Sequence, residues 1–207
     1  KKTILITGAA GQIGSHLASY FNKMEADLIL IDYDKIKIKN LKNKLKSKNN
    51  YFYNCNLANQ AQLKVTIKKI KKDFNKIDII IHSASLVGTS NLKGWNTKFS
   101  NQSIDNWDKT FKINLYSIFY LVEKLEKNLI KSDSPSIINI GSIYSKASPD
   151  WNMYKDSKIY NPAAYSSCKA ALAYLTKWLA TTISKKIRCN MISPGGVEGN
   201  QSLKFNF

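Results

Sequence analysis

The chain has 207 residues, of which 43% are hydrophobic and 11% aromatic. That is material for a buried core and excludes a disordered chain or a disulfide-stapled miniprotein. Lysine and arginine number 32 against 14 acidic residues, a formal net charge of +18, but Arg188 is the sole arginine. Readers of phosphates and bases favour arginine forks, so no specific nucleic-acid partner is expected. No apolar run approaches the ~20 residues of a membrane span, so no membrane partner is expected. Residues 1–8 read at once as a strand rather than a secretion leader. Cys55, Cys168 and Cys189 are odd in number and lack CxxC spacing, which points to a reducing, cytoplasmic compartment. With only His16 and His82 beside them, no metal cluster is expected.

Short apolar runs alternate with longer amphipathic stretches. Strands are predicted at 2–7, 27–31, 51–54, 77–82, 136–141 and 187–192. Helices are predicted at 12–24, 35–46, 60–74, 105–128 (one long helix, capped by Ser103) and 163–184. Residues 85–102 read as a polar loop and 145–162 as a second irregular region. Continuous apolar strands alternating with helices predict an α/β fold, a doubly wound parallel sheet with helices on both faces. The whole chain reads as one domain, without repeat or linker.

Thr7-Gly8-Ala9-Ala10-Gly11-Gln12-Ile13-Gly14 joins the first strand to the first helix. Gly8 permits a sharp turn, Gly11 a close backbone approach to a diphosphate, and Gly14 tight packing, while the helix N-terminus offers N–H groups to an anion. Asp32 follows Gly14 by 18 residues at the tip of the second strand. A carboxylate there accepts both ribose hydroxyls of NAD and repels the extra phosphate of NADP, so NAD is expected over NADP.

A second constellation carries acid–base chemistry. Tyr165 and Lys169 stand four residues apart on the long penultimate helix, which places them one turn apart on one face. A phenol with an ordinary pKa of ~10 is a poor base near neutrality, and a nearby cation lowers it. Tyr165 is therefore the expected acid/base and Lys169 its electrostatic tuner. Ser142 ends a strand, where ligands gather in open α/β sheets, and is expected to hydrogen-bond the substrate oxygen. Asn114 lies mid-helix in Phe111-Lys112-Ile113-Asn114-Leu115.

With the glycine loop, Tyr165-Ser166-Ser167-Cys168-Lys169, Ser142, Asn114 and Ser193-Pro194-Gly195-Gly196, the whole chain resembles the short-chain dehydrogenase/reductase family and its Rossmann fold. Residues 142–201, with Tyr144 and Val197, are similar to bacterial oxidoreductases of flagellin and surface-sugar modification. The resemblance implies hydride transfer between a secondary alcohol and a ketone. It implies that Lys169 also binds the nicotinamide ribose and that Asn114 holds a water relaying protons to it. Cofactor contacts are implied for Gly8, Gly11, Gln12, Ile13, Gly14, Asp32, Tyr33, Asn56, Leu57, Ser83, Ala84, Ser85, Pro194, Gly195 and Val197, beside Tyr165 and Lys169. It also implies a homodimer or homotetramer built through the two long helices.

Several features depart from the family pattern. Asn56-Leu57 replaces Asp-Leu or Asp-Val beside adenine; an amide oxygen there can still accept from the adenine amino group. His82-Ser83-Ala84-Ser85 replaces Asn-Asn-Ala-Gly. The Thr-Gly-x-x-Gly-x-x-Gly loop is typical of the sugar-nucleotide epimerase and dehydratase branch. Tyr154 and Lys158 repeat the Tyr-x-x-x-Lys spacing 12 residues after Ser142, but Asn161-Pro162 interrupts a helix there, so Tyr165 is preferred and 146–161 reads as an insertion. The chain ends at Phe207, where the family continues with a lid, a helix and a strand, so the C-terminal part is expected to be truncated. Trp95, Trp107, Trp151, Tyr154, Lys155 and Lys158 on the loops suit a phosphorylated or nucleotide-linked sugar as small-molecule substrate, and suit ordinary packing equally. Two alternatives stand beside the oxidoreductase reading: a sugar-nucleotide epimerase or dehydratase, and a non-catalytic NAD-binding scaffold.

Overall fold

The computed structural model describes residues 1–45, 47–87, 90–154 and 160–197, with the side chains of Met153 and Tyr154 left aside. Its strands are β1 (Thr3–Thr7), β2 (Asp27–Asp32), β3 (Asn50–Asn54), β4 (Ile79–His82), β5 (Ser136–Ile140) and β6 (Arg188–Ile192). The helices are α1 (Gln12–Lys23), α2 (Lys35–Lys44), α3 (Gln60–Asp73), α4 (Asp105–Phe111), α5 (Ser117–Ile130) and α6 (Ala163–Thr182). The six strands form one parallel sheet in the order β3-β2-β1-β4-β5-β6. Chain order therefore reverses between β1 and β4. In such sheets the crevice at the strands' C-terminal ends, at that reversal, is where ligands bind.

The sequence dictates this layering. Every residue of β1 is buried, as a strand covered on both faces requires. Leu63, Ile67 and Ile70 of α3, Ile118, Leu121 and Leu125 of α5 and Leu172 and Leu179 of α6 meet Leu5, Ile29, Ile80 and Ile137 on one face. Ala18 of α1 and Leu41 of α2 meet Ile4, Leu28, Leu30 and Ile81 on the other. Side-chain caps start two helices: Asp34 accepts from the Ile36 and Lys37 amides, and Asn59 from the Gln62 amide. Away from the ligand end, the buried carboxylate of Asp78 accepts from the Thr3 amide at 2.8 Å and the Ser132 hydroxyl at 2.6 Å. It also faces Lys76 at 3.4 Å and Lys2 at 3.6 Å.

The predicted single helix 105–128 runs unbroken from Asp105 to Ile130 but contains one wider turn. Between α4 and α5 the residues Lys112–Tyr116 form a π-turn containing Asn114. Ser103 accepts from the Asp105 amide at 3.3 Å, although Ile104 occupies the N-cap position and brings no side-chain bond.

Candidate active site

The β1–α1 loop makes a cradle by removing side chains. Gly8 sits at φ +63°, and a Cβ there would stand 2.7 Å from Ala84 N and Cα. A Cβ on Gly14 would stand 2.1 Å from the Gly8 carbonyl oxygen. Turn and helix thus lie in direct backbone contact, with no room for methyl groups. Gly11 at the α1 N-cap brings no side-chain cap, and the first turn, with Gln12 and Ile13, holds no acidic residue. That end of α1 suits an anion.

Asp32 ends β2 and is 8% exposed. Its Oδ2 accepts from the Ala10 amide at 2.9 Å and its Oδ1 from the Asp34 amide at 3.1 Å. These bonds fix the carboxylate beside the glycine loop and leave each oxygen further accepting capacity for a hydroxyl. Loop, helix end and carboxylate together fit a dinucleotide. Tyr33 beside it is exposed, and its carbonyl accepts from the Asn54 side chain. Asn56 Oδ1 accepts from the Ala58 amide at 3.0 Å and keeps a second lone pair, while the Leu57 side chain belongs to the core with α3. Ser83 and Ala84 follow β4 against Gly8; the Ala84 amide donates to Thr7 Oγ1 at 3.3 Å, and Ser85 Oγ donates to the Leu86 carbonyl.

The acid–base set converges at the ends of β4 and β5. Ser142 is buried just beyond β5, its Oγ accepting from the Tyr144 amide at 3.2 Å. The Ser142 side chain stands by the Tyr165 phenol, where it favours the ionised form. Lys169 is 3% exposed. Its Nζ donates to the Ile140 carbonyl at 2.7 Å and lies 5.6 Å from the centroid of the Tyr165 ring. Asn114 is fully buried on the π-turn; its Oδ1 accepts from the Leu86 amide at 3.0 Å, while Nδ2 has no partner among the described residues. An orphaned buried donor beside a ligand crevice is a feature that a bound group or water explains.

Burial pushes the Tyr165 phenol above its ordinary value, the Ser142 side chain opposing and Tyr144 adding to the rise. In the cofactor-free protein burial thus works against the lowering expected from Lys169, whose ammonium donates to the Ile140 carbonyl and lies over the ring. Burial also pushes Lys169 down to about 8, with the Cys168 thiol opposing. His82 falls to about 3 through burial and the Lys169 charge, with the Asn114 carbonyl opposing.

The surrounding loops hold α6 in place. Gln102 Oε1 accepts from the Ala163 amide at 2.9 Å, and Asn161 Oδ1 accepts from Ser166 Oγ at 2.6 Å, so the 85–102 loop docks on the start of the helix that carries Tyr165. Beyond β6, the Pro194 carbonyl accepts from the Ile143 amide at 3.1 Å, which brings Pro194 beside the residue that follows Ser142, with Gly195 next to it and Val197 partly exposed further on. The aromatic set divides. Trp95 is 1% exposed with its Nε1 donating to the Val87 carbonyl, so it is core. Trp107 stacks on Phe111. Trp151 lies on a 3₁₀ turn, Trp151–Tyr154, within the predicted insertion; Lys155, Lys158 and the Tyr154 side chain lie outside the described residues. Sequence reasoning noted His82 only as a departure, yet its ring bonds both Thr7 Oγ1 and the Asn114 carbonyl. The available signal was a polar residue at the tip of an apolar strand.

The comparisons agree with this geometry. The family described as short chain dehydrogenase matches residues 2–205. A 3-oxoacyl-[acyl-carrier-protein] reductase of Rickettsia typhi is 32% identical over 209 residues, covering 99% of this chain and 76% of the relative. An uncharacterized oxidoreductase of Staphylococcus aureus is 26% identical over 206 residues, covering 99% and 82%. Among solved structures, the ligand-free aldohexose dehydrogenase of Thermoplasma acidophilum superposes with TM-score 0.75 at 24% identity, over 94% of this chain and 66% of that one. A short chain dehydrogenase of Shigella flexneri complexed with NADP gives 0.79 at 23% identity, over 95% and 77%. Glycine cradle, buried lysine, strand-end serine and family match coincide over nearly the whole sequence, and the chain belongs to the short chain dehydrogenase family.

Proposed function

We propose that this protein is an NAD(H)-dependent oxidoreductase that interconverts a secondary alcohol and a ketone. The observation that carries the reading is the convergence of Ser142, Tyr165 and the buried Lys169 at the end of β5, with the Lys169 ammonium 5.6 Å from the centre of the Tyr165 ring. The bound nicotinamide would supply and accept the hydride. The chain's own residues handle the proton and the orientation. Ser142 Oγ holds the substrate oxygen at the sheet's C-terminal edge. Tyr165, protonated at neutral pH, gives its hydroxyl proton to that oxygen as a ketone is reduced, and takes it back in the reverse direction. Phenolate then forms beside the Lys169 ammonium, which stabilises it. Asn114, on the π-turn packed against α6, keeps a buried amide nitrogen without a partner among the described residues, which a proton-relaying water would satisfy. The carboxylate of Asp32 supports NAD over NADP, since it meets ribose hydroxyls and repels a phosphate.

Two substrate classes suit this chemistry. A 3-oxoacyl thioester is supported by the Rickettsia typhi relative, which is 32% identical. An anionic sugar derivative of surface-glycan biosynthesis or flagellin modification is the narrower alternative. Its support shrinks to Trp151 among the described tryptophans, since Trp95 and Trp107 are packed elsewhere. The epimerase or dehydratase reading rests on the spacing of the glycine loop, and the scaffold reading would need dinucleotide binding without turnover. A homodimer or homotetramer is supported by the apolar groove between the π-turn and α6, which Tyr116, Phe119, Tyr174 and Trp178 line while exposed. A reducing, cytoplasmic location is supported by three free, buried cysteines.

The deciding experiment follows NADH oxidation with 3-oxoacyl thioesters and keto-sugars, using wild type, Tyr165→Phe and Tyr154→Phe. Turnover lost only in Tyr165→Phe, by about 10²–10⁴-fold, supports the assignment. Loss only in Tyr154→Phe transfers the acid–base role to that tyrosine. Tight NADH binding without turnover on any ketone favours the scaffold.

A further inference from the structure

His82 ends β4 and is 1% exposed. Its register partner on β1 is Thr7, so the two side chains share one face of the sheet at the ligand end. Nε2 lies 3.2 Å from the Asn114 carbonyl oxygen, and Nδ1 lies 2.8 Å from Thr7 Oγ1. A carbonyl oxygen only accepts, so Nε2 carries the proton. The neutral ring then leaves Nδ1 as an acceptor, and the Thr7 hydroxyl donates to it. The same Thr7 oxygen accepts from the Ala84 amide. One imidazole therefore ties together three segments. They are the strand end that feeds the Gly8 turn, the loop against which that turn is packed, and the π-turn that carries Asn114.

We propose that His82 is a positioning residue with two separable roles, resting on the oxidoreductase reading above. Through Nδ1 it holds Thr7, and with it the Gly8 turn against Ala84, in the conformation that receives the dinucleotide. Through Nε2–H it holds the Asn114 carbonyl, and with it the π-turn packed on α6, in the conformation that proton transfer at Tyr165 and Lys169 requires. The ring touches neither partner of the reaction; it acts through Thr7 and Asn114.

The two nitrogens can be tested apart, because different amides replace each. The Oδ1 of an asparagine can stand near the place of Nδ1, and the Nε2 of a glutamine near that of the imidazole Nε2. Phenylalanine fills the volume and makes neither bond. NADH affinity is measured by fluorescence titration, kcat by NADH oxidation, and folding by melting curves. His82→Phe is expected to weaken NADH binding and to lower kcat, each by about ten-fold, as leaving a buried partner unpaired does. His82→Asn is expected to recover affinity but not kcat, and His82→Gln kcat but not affinity. Losses that merely follow the melting temperature in all three variants, or wild-type values in folded His82→Phe, overturn the proposal. If His82→Phe fails to fold, the contrast between the asparagine and glutamine variants decides.

Nitrogen-15 NMR supplies a reading that needs no turnover. The sequence has two histidines, so His16→Gln protein reports His82 alone. A single tautomer protonated on Nε2 supports the network, and one protonated on Nδ1 overturns it. A wild-type protein that binds NADH but reduces no ketone refutes the oxidoreductase reading. In that event the tautomer and the affinity contrast still decide the Thr7 role, and the Asn114 role falls with the reading.

Discussion

The Lys169 ammonium lies 5.6 Å from the centre of the Tyr165 ring, yet it donates its hydrogen bond to the Ile140 carbonyl at 2.7 Å. The pair is therefore joined through ring face and field rather than through a bond to the phenol oxygen. Burial of this cation is a cost to the fold that serves the site.

That cost is measurable. Lys169 falls from 10.5 to about 8 in the folded protein, so the unfolded chain binds more protons between those values and stability rises with pH across that window. Below it the penalty is complete, roughly 3 kcal/mol at ~1.36 kcal/mol per unit. Lys169→Met is expected to raise the denaturation midpoint at pH 7, by less than that amount because the Ile140 bond is lost. The advantage should shrink as pH rises from 8 towards 10.5, and turnover should fall by orders of magnitude. Wild-type kcat/KM for ketone reduction should decline as pH rises through about 8, as the ammonium is lost. Urea titrations and a pH–rate profile check both.

Asp32 tests cofactor choice. Its carboxylate is held by the Ala10 and Asp34 amides. Asp32→Asn keeps one acceptor and removes the charge. The ratio of kcat/KM for NADH over NADPH is expected to fall about ten-fold or more, corresponding to ~1.4 kcal/mol of lost discrimination. An unchanged ratio would remove Asp32 from cofactor selection.

Gly14 tests the cradle. A Cβ at this position meets backbone at 2.1 Å, with no flexible side chain to yield. Gly14→Ala is expected to abolish NADH binding in fluorescence titrations and to lower the melting temperature. Gly11→Ala, whose nearest contact is 3.2 Å, should unfold less readily.

Asp78 tests the opposite end of the sheet. Burial works against its charge, but the Ser132 hydroxyl, the Thr3 amide and Lys76 outweigh it and hold the carboxyl below its ordinary value. A depressed folded pKa gives stability that is present above the unfolded value and lost as pH falls through the folded one. Asp78→Ala should cost about 2–3 kcal/mol in denaturant melts at pH 7, leaving a buried hydroxyl and amide unpaired. The deficit should narrow under acid, and kcat of the folded fraction should stay at the wild-type value.

Local chemistry made most of the architecture readable from the chain. Apolar runs such as Ile79-Ile80-Ile81 in β4, caps such as Asp34, and the spacing of Gly8, Gly11 and Gly14 each act within a few residues. The Tyr165–Lys169 pair was equally legible, since four residues on a helix define one face. Three matters needed distant segments. The π-turn at Asn114 exists where a backbone carbonyl turns to His82, 32 residues away. The upward push on the Tyr165 phenol reflects how deeply its surroundings bury it, which spacing does not encode. Trp95 could serve a ligand or the core until packing buried it. Periodicity and caps are short-range properties of the amino-acid order; desolvation and hydrogen bonds between strand tips arise only when remote segments meet, and those interactions set the chemistry of this site.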